Sequence, residues 1–162
     1  MTDTLSKTTA REAAAPFQAS AQLAGHLQQL HVDLIDLHLQ GKQAHWNVVG
    51  KNFRDLHLQL DEIVDLARTH MDVMAERAIA IGVNPDGRAG TVASQSRVPQ
   101  LDAGYIADDK VVAAFTDILE SIIGRFRERI TATETADPVT QDLLIAASEE
   151  LEKQHWMIQA QA

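Results

Sequence analysis

The chain contains no cysteine, so it can hold neither a disulfide nor a thiolate metal site. The lack of thiols also suits a protein that meets oxidants. Aromatics are scarce, and no run reaches the roughly 18 apolar residues of a membrane span. The first 16 residues hold no apolar stretch of the signal-peptide kind. A soluble cytoplasmic protein is expected, with association to the nucleoid left open. Basic residues are few: 14 Lys and Arg face 23 Asp and Glu, for a net charge of −9. Phosphate contact needs clustered Lys and Arg, so this balance argues against a nucleic-acid binder. An acidic surface attracts cations instead.

Ala, Leu, Gln and Glu are abundant, and all favour helix. At 162 residues the chain is expected to form one domain with a real core. Residues 1–16 are polar, end at Pro16 and are expected to be a flexible tail, with the domain spanning 17–162. The pattern predicts a first helix from Phe17 to Val49, with Leu23, Leu27, Leu30, Leu34 and Leu37 as its stripe and Gly50 as its stop. Gly41 inside that helix costs about 1 kcal/mol against Ala and is expected where another backbone comes close. Asn52 is expected to cap a second helix, with Asp55 three residues on, running to Ile81. A long crossover follows, with a short helix expected over Thr91–Ser96. Asp108 is expected to cap a third helix reaching Thr135, striped by Val111, Phe115, Ile118, Ile122 and Phe126. Asp137, with Pro138 behind it, is expected to cap a fourth reaching Gln159. Four helices with one long crossover give an all-α chain with the ferritin-like bundle topology.

The second helix carries the chemistry. Leu56, Leu60, Ile63, Ala67, Met71, Met74, Ala78 and Ile81 form one apolar stripe. His57, Asp61, Arg68, Asp72 and Glu76 form another, rotated roughly 130° from it at 3.6 residues per turn. His57/Asp61 and Asp72/Glu76 are i,i+4 pairs, so each pair shares a face. At about 1.5 Å per residue the two pairs lie roughly 22 Å apart, too far to serve one metal within one chain. Two copies laid antiparallel about a two-fold axis near Leu66 and Ala67 would bring the first pair of one to the second pair of the other. Two equivalent metal sites would result. The plain alternative is a solvated helix face.

The run His45-Trp46-Asn47-Val48-Val49-Gly50 resembles the signature of the Dps family, the DNA-binding proteins from starved cells. Asn52-Phe53, Leu56-His57 and Asp72 with Ala75-Glu76-Arg77 extend the likeness. So do Pro85-Asp86-Gly87-Arg88 with Thr91-Val92-Ala93, and Glu152-Lys153-Gln154. The likeness covers roughly residues 20 to 160. It implies a hollow homo-dodecamer of tetrahedral symmetry and ferroxidase sites at two-fold interfaces. It implies iron as the metal, held by His45, His57 and Asp61 of one subunit and by Asp72 and Glu76 of its mate. It implies oxidation of Fe(II), preferably by hydrogen peroxide, and storage of ferric mineral. Asp142 matches the family's acidic position at a three-fold pore, and Glu149 lies two turns on.

Carboxylate and imidazole together suit iron. Glu76 is expected to bind or bridge the metal, and Asp72 to be a ligand or a base for bound water. Trp46 reads either as a core aromatic or as an oxidisable ring beside the iron; Trp156 carries the same two readings. His31 and His38 are expected at the surface or an interface. Glu152 and His155 look like half of a di-iron motif, but a site inside one bundle needs a second such motif and two further Glu residues. No second motif is found, Glu120 is one contributor, and the first helix offers only Asp33 and Asp36. DNA binding is expected to be weak or absent, because neither terminus carries a basic cluster. The competing functions are a DNA-protecting shell with little catalysis and a metal-assisted hydrolase acting on a small acyl substrate.

Overall fold

The computed structural model describes residues 12–162; the first eleven residues of the expected 1–16 tail lie outside the described part. The elements are α1 (Ala21–Asn47), β1 (Val48–Val49), α2 (Phe53–Ala80), α3 (Ala89–Gln95), β2 (Ile106–Ala107), α4 (Asp108–Thr133) and α5 (Pro138–Gln159). Helices α1 and α2 form one antiparallel hairpin and α4 and α5 another, packed together as a four-helix bundle, with α3 in the crossover. The ferritin-like architecture expected from the pattern is the one observed.

The apolar stripes meet as expected. Leu30, Leu34 and Leu37 of α1, Leu56, Leu60 and Ile63 of α2, Phe115, Ile122 and Phe126 of α4, and Leu144 and Leu151 of α5 are fully buried. Each such side chain contributes about 1.5–3 kcal/mol by leaving water. Gly41 lies where α1 and α2 approach: a Cβ there would stand 2.6 Å from Val64 Cγ2. The close neighbour is mainly a side chain, although the Leu60 carbonyl lies 3.8 Å away.

Several helix ends differ from expectation. The first helix starts at Ala21 rather than Phe17, because Ser20 Oγ accepts from Leu23 N–H at 3.2 Å and caps it there. Ahead of it, Ala15 and Ala19 donate to the carbonyls of Ala80 and Ile81 and lie along the end of α2. The helix also stops early, at Asn47. Val48 and Val49 pair in parallel with Ile106 and Ala107, tying the end of α1 to the start of α4. Asn52 occupies the cap position of α2, but its side chain makes no capping bond. Its backbone N–H donates to Asp108 Oδ2 at 2.8 Å instead. Asp108 is accordingly the first residue of α4 rather than its cap, which is Ala107. Gly50 has φ +143°, and a Cβ there would overlap the Asp108 carboxylate, so this turn admits only glycine. Asp137 stands at the cap position of α5, yet its carboxylate is taken by Arg77 Nη2 at 2.6 Å and by the Thr140 hydroxyl.

A candidate half-site on the first hairpin

The tight connection from Val48 to Asn52 folds the start of α2 back along the end of α1. This places His45 against His57. Their rings stack with centroids 3.6 Å apart at 21°. His45 Nδ1 donates to the His57 carbonyl and His57 Nδ1 to the His45 carbonyl, each at 2.9 Å. A carbonyl can only accept, so each Nδ1 carries the proton. Each Nε2 is then left with its lone pair, the form in which imidazole binds a metal. Phe53 leans on His57 with centroids 5.1 Å apart.

Asp61 completes the group, with Oδ1 3.2 Å from His45 Nδ1. The same oxygen accepts from Lys42 Nζ at 2.6 Å. That hydrogen bond is the main reason its carboxyl is held below the usual range; burial opposes it, and the Lys42 charge adds to the lowering. Lys42 was not expected at the site. It lies on the preceding helix, three residues before His45, and only the fold reveals that it reaches Asp61.

Asp72 and Glu76 lie on the same helix toward its far end, and both are exposed. They do not join the first three residues within one chain. Among the described residues, no group of three or more His, Asp or Glu is placed to hold a metal within one subunit. The donor types fit a divalent transition metal, but the three that lie near one another in one chain, with Asp61 at the Nδ1 edge of His45, do not by themselves form a metal-holding group.

The remaining expectations meet mixed outcomes. Trp46 and Trp156 are 67% and 65% exposed, so neither is a core aromatic of the chain. His31 is not at the surface: it is 9% exposed, and its Nδ1 lies 3.0 Å from the Met71 carbonyl. His38 is half-buried. Asp142 and Glu149 are both exposed on α5. Most of the residues considered for a site inside one bundle are engaged elsewhere, in line with the missing second motif. Glu152 is held by Arg127 through two bonds of 2.7 Å, Glu120 is exposed, and Asp33 is paired with Arg125. Asp36 is bonded to Ser96, Gln100 and Gln40.

The family model of the ferritin-like domain matches residues 24–162. DNA protection during starvation protein 2 of Deinococcus radiodurans is 36% identical over 134 residues, which cover 83% of this chain and 56% of that protein. The chain thus spans just over half the length of that relative. The Dps of Mycobacterium smegmatis in its tetragonal form is 32% identical, with a TM-score of 0.87 and 93% of each chain covered. The chain belongs to the Dps family. Another Dps, from Microbacterium arborescens and solved in a high iron form, is 28% identical with a TM-score of 0.79, covering 90% of this chain and 97% of that one. No helix of the described residues is long and apolar enough to cross a membrane.

Proposed function

We propose that this protein stores and detoxifies iron, oxidising Fe(II) at sites shared between two-fold-related subunits of a hollow dodecamer in the cytoplasm. Hydrogen peroxide is the preferred oxidant. Two ferrous ions each give up one electron, the O–O bond breaks, and with two protons the oxygens leave as two waters. The ferric product is laid down as mineral inside the shell. His45 and His57 offer their Nε2 lone pairs and Asp61 an oxygen. Asp72 and Glu76 of the mate supply the further negative charge that ferric iron favours over ferrous. Trp46, exposed next to His45, is placed to be oxidised in place of more sensitive groups. Asp142 and Glu149, exposed on α5, supply negative charge along the route by which iron enters.

The observation that carries this reading is the separation of the five donors into two groups, His45, His57 and Asp61 where the end of α1 meets the start of α2 and Asp72 and Glu76 farther along α2, the first with both imidazoles in the metal-binding tautomer. A mixed assembly tests it. Neither His57→Ala nor Glu76→Ala chains should oxidise iron alone. Refolded together in equal amounts, random pairing makes half the dimers mixed, and each mixed dimer keeps one intact site of two. About a quarter of the wild-type peroxide-driven rate should return. No recovery on mixing would overturn the shared site.

The acidic balance of the whole chain points to weak DNA binding. The C-terminal residues Gln159 to Ala162 carry no basic group, and Lys7 and Arg11 are the only basic residues before α1. A plasmid gel shift at about 150 mM salt should show no retardation. Tight binding under that condition would show that the assembled shell gathers positive charge that the single chain does not display.

A further inference from the structure

Two buried carboxylates sit about one turn apart on α1 and are treated differently. Asp33, with no exposed surface, is neutralised by Arg125, whose Nε donates to it at 2.7 Å. Asp36, 5% exposed, receives only neutral donors. Ser96 Oγ and Gln100 Nε2 reach its Oδ2 at 2.5 and 2.7 Å, and Gln40 Nε2 reaches its Oδ1 at 3.1 Å. Among the described residues no Lys, Arg or His forms an ion pair with Asp36. It lines a cavity of about 410 Å³ between α1 and the crossover. That volume lies in the range of small-molecule sites, about 300–1,000 Å³.

The polar wall of this cavity has a one-sided chemistry. Gln40 Nε2 also donates to Gln100 Oε1 at 2.7 Å, and Gln100 Nε2 also donates to the Val98 carbonyl at 3.0 Å. An amide nitrogen has two N–H bonds and a hydroxyl has one O–H. The side-chain donors of Gln40, Gln100 and Ser96 are therefore all spent. Acceptor capacity is left over, since a carboxylate accepts about four hydrogen bonds and Asp36 receives three. Toward these side chains a polar guest donates rather than accepts, and it meets a negative charge with no ion-pair partner among the described residues. The remaining walls include Leu39, Val92 and Val98, with Leu39 half-exposed at the mouth.

We propose that this cavity binds a small aliphatic ammonium ion, with its N–H groups on Asp36 and its hydrocarbon part against Leu39, Val92 and Val98. An anion is repelled by Asp36. A hydrated metal ion gains nothing from the apolar walls, and a neutral alcohol of the same length lacks the charge that makes hydrogen bonds to a carboxylate strong. The site lies apart from His45, His57 and Asp61, and its occupancy does not depend on iron oxidation.

Calorimetric titration of the full-length, assembled, iron-free protein with n-butylammonium tests this. Saturable binding at one ion per chain is expected. n-Butanol, which has the chain without the charge, and tetramethylammonium, which has the charge without N–H donors, should each bind at least about tenfold more weakly. Asp36→Asn should weaken butylammonium binding by a similar factor. Ala93→Met narrows the cavity from α3 without touching the polar network, so it reports on the site even if Asp36→Asn folds poorly. It should abolish binding while leaving the unfolding midpoint in place. The proposal is overturned if the wild type shows no saturable butylammonium binding at millimolar concentration, or if butanol binds as tightly. It is equally overturned if Ala93→Met binds like the wild type, or if magnesium at equal concentration displaces the amine.

Discussion

The two ends of α2 carry proposed ligands that differ in type, imidazoles with a carboxylate against carboxylates alone, and in how far each is organised. At the N-terminal end, His57 is stacked on His45, each imidazole is fixed by the other's backbone, and Asp61 is held by Lys42. At the C-terminal end, Asp72 and Glu76 project into solvent. What is anchored there is the neighbour, Arg77, whose guanidinium bonds Asp137 at 2.6 Å and Thr140 at 3.0 Å. One end is thus preorganised at the side chains, and the other only at the backbone. A rigid ligand group lowers the entropy cost of binding. In the proposed shared site, the imidazole end would define position, and the free carboxylates of a mate would supply charge and adapt to it.

The largest expected effect separates the two ends by what each mutation damages. Glu76→Ala or Asp72→Ala should slow peroxide-driven iron oxidation at least about 100-fold, the upper range seen even for groups that only support a metal ligand. Neither should change the stability of the subunit, since both side chains are exposed. His45→Ala should lose as much activity and also about 2 kcal/mol of stability, because it removes a buried side chain bonded to the His57 carbonyl. Stopped-flow oxidation assays paired with urea unfolding read both quantities. Equal destabilisation by Glu76→Ala and His45→Ala would erase the contrast between the ends.

The anchor at Arg77 gives a smaller effect, with a pH signature. Burial pushes the Asp137 carboxyl up, but the hydrogen bonds from Arg77 and Thr140 together outweigh it and hold it below its ordinary value. A carboxyl whose pKa is lowered by folding stabilises the protein above the unfolded-state value of about 3.9. That contribution is lost as pH falls through the lower folded-state value. Asp137→Asn should cost about 2 kcal/mol at neutral pH, and the gap from wild type should close in acid. Urea midpoints measured from pH 6 down to about pH 3 check the sign. A gap that widens on acidification would mean that Asp137 is not the group holding the end of α2.

Much of this was legible in the chain because it is periodic. The stripes of α1, α2 and α4 follow from 3.6-residue spacing, and the five apolar positions singled out on α4 are all buried. The separation of the ligand pairs follows from the rise of a helix without Pro or Gly. The illegible parts are contacts between residues far apart in sequence. The pairing of Val48 with Ile106, the bond of Asn52 to Asp108 and the anchoring of Arg77 on Asp137 join positions about 60 residues apart. No local pattern encodes them. The i,i+7 spacing of His31, His38 and His45 points His31 to the surface or an interface, whereas the Met71 carbonyl across the hairpin gives its ring a buried partner. Lys42 was missed for the same reason, since its partner Asp61 lies on the next helix.

The smallest expected effect concerns the entry to α2. An Asn at a helix start ordinarily stabilises it by about 1 kcal/mol through a side-chain bond to a free N–H. Asn52 makes no such bond; its contribution comes from its backbone, through Asp108. Asn52→Ala keeps that backbone N–H and should therefore cost less than about 0.5 kcal/mol. Ser20→Ala, by contrast, removes the Oγ that accepts from Leu23 and should cost about 1 kcal/mol. Asp108→Ala should cost more than Asn52→Ala, because it frees the N–H groups of both Asn52 and Asp109. If Asn52→Ala proved the most costly of the three, its side chain rather than its backbone would set where α2 begins. The preorganised end of the helix would then rest on a local cap instead of on the distant start of α4.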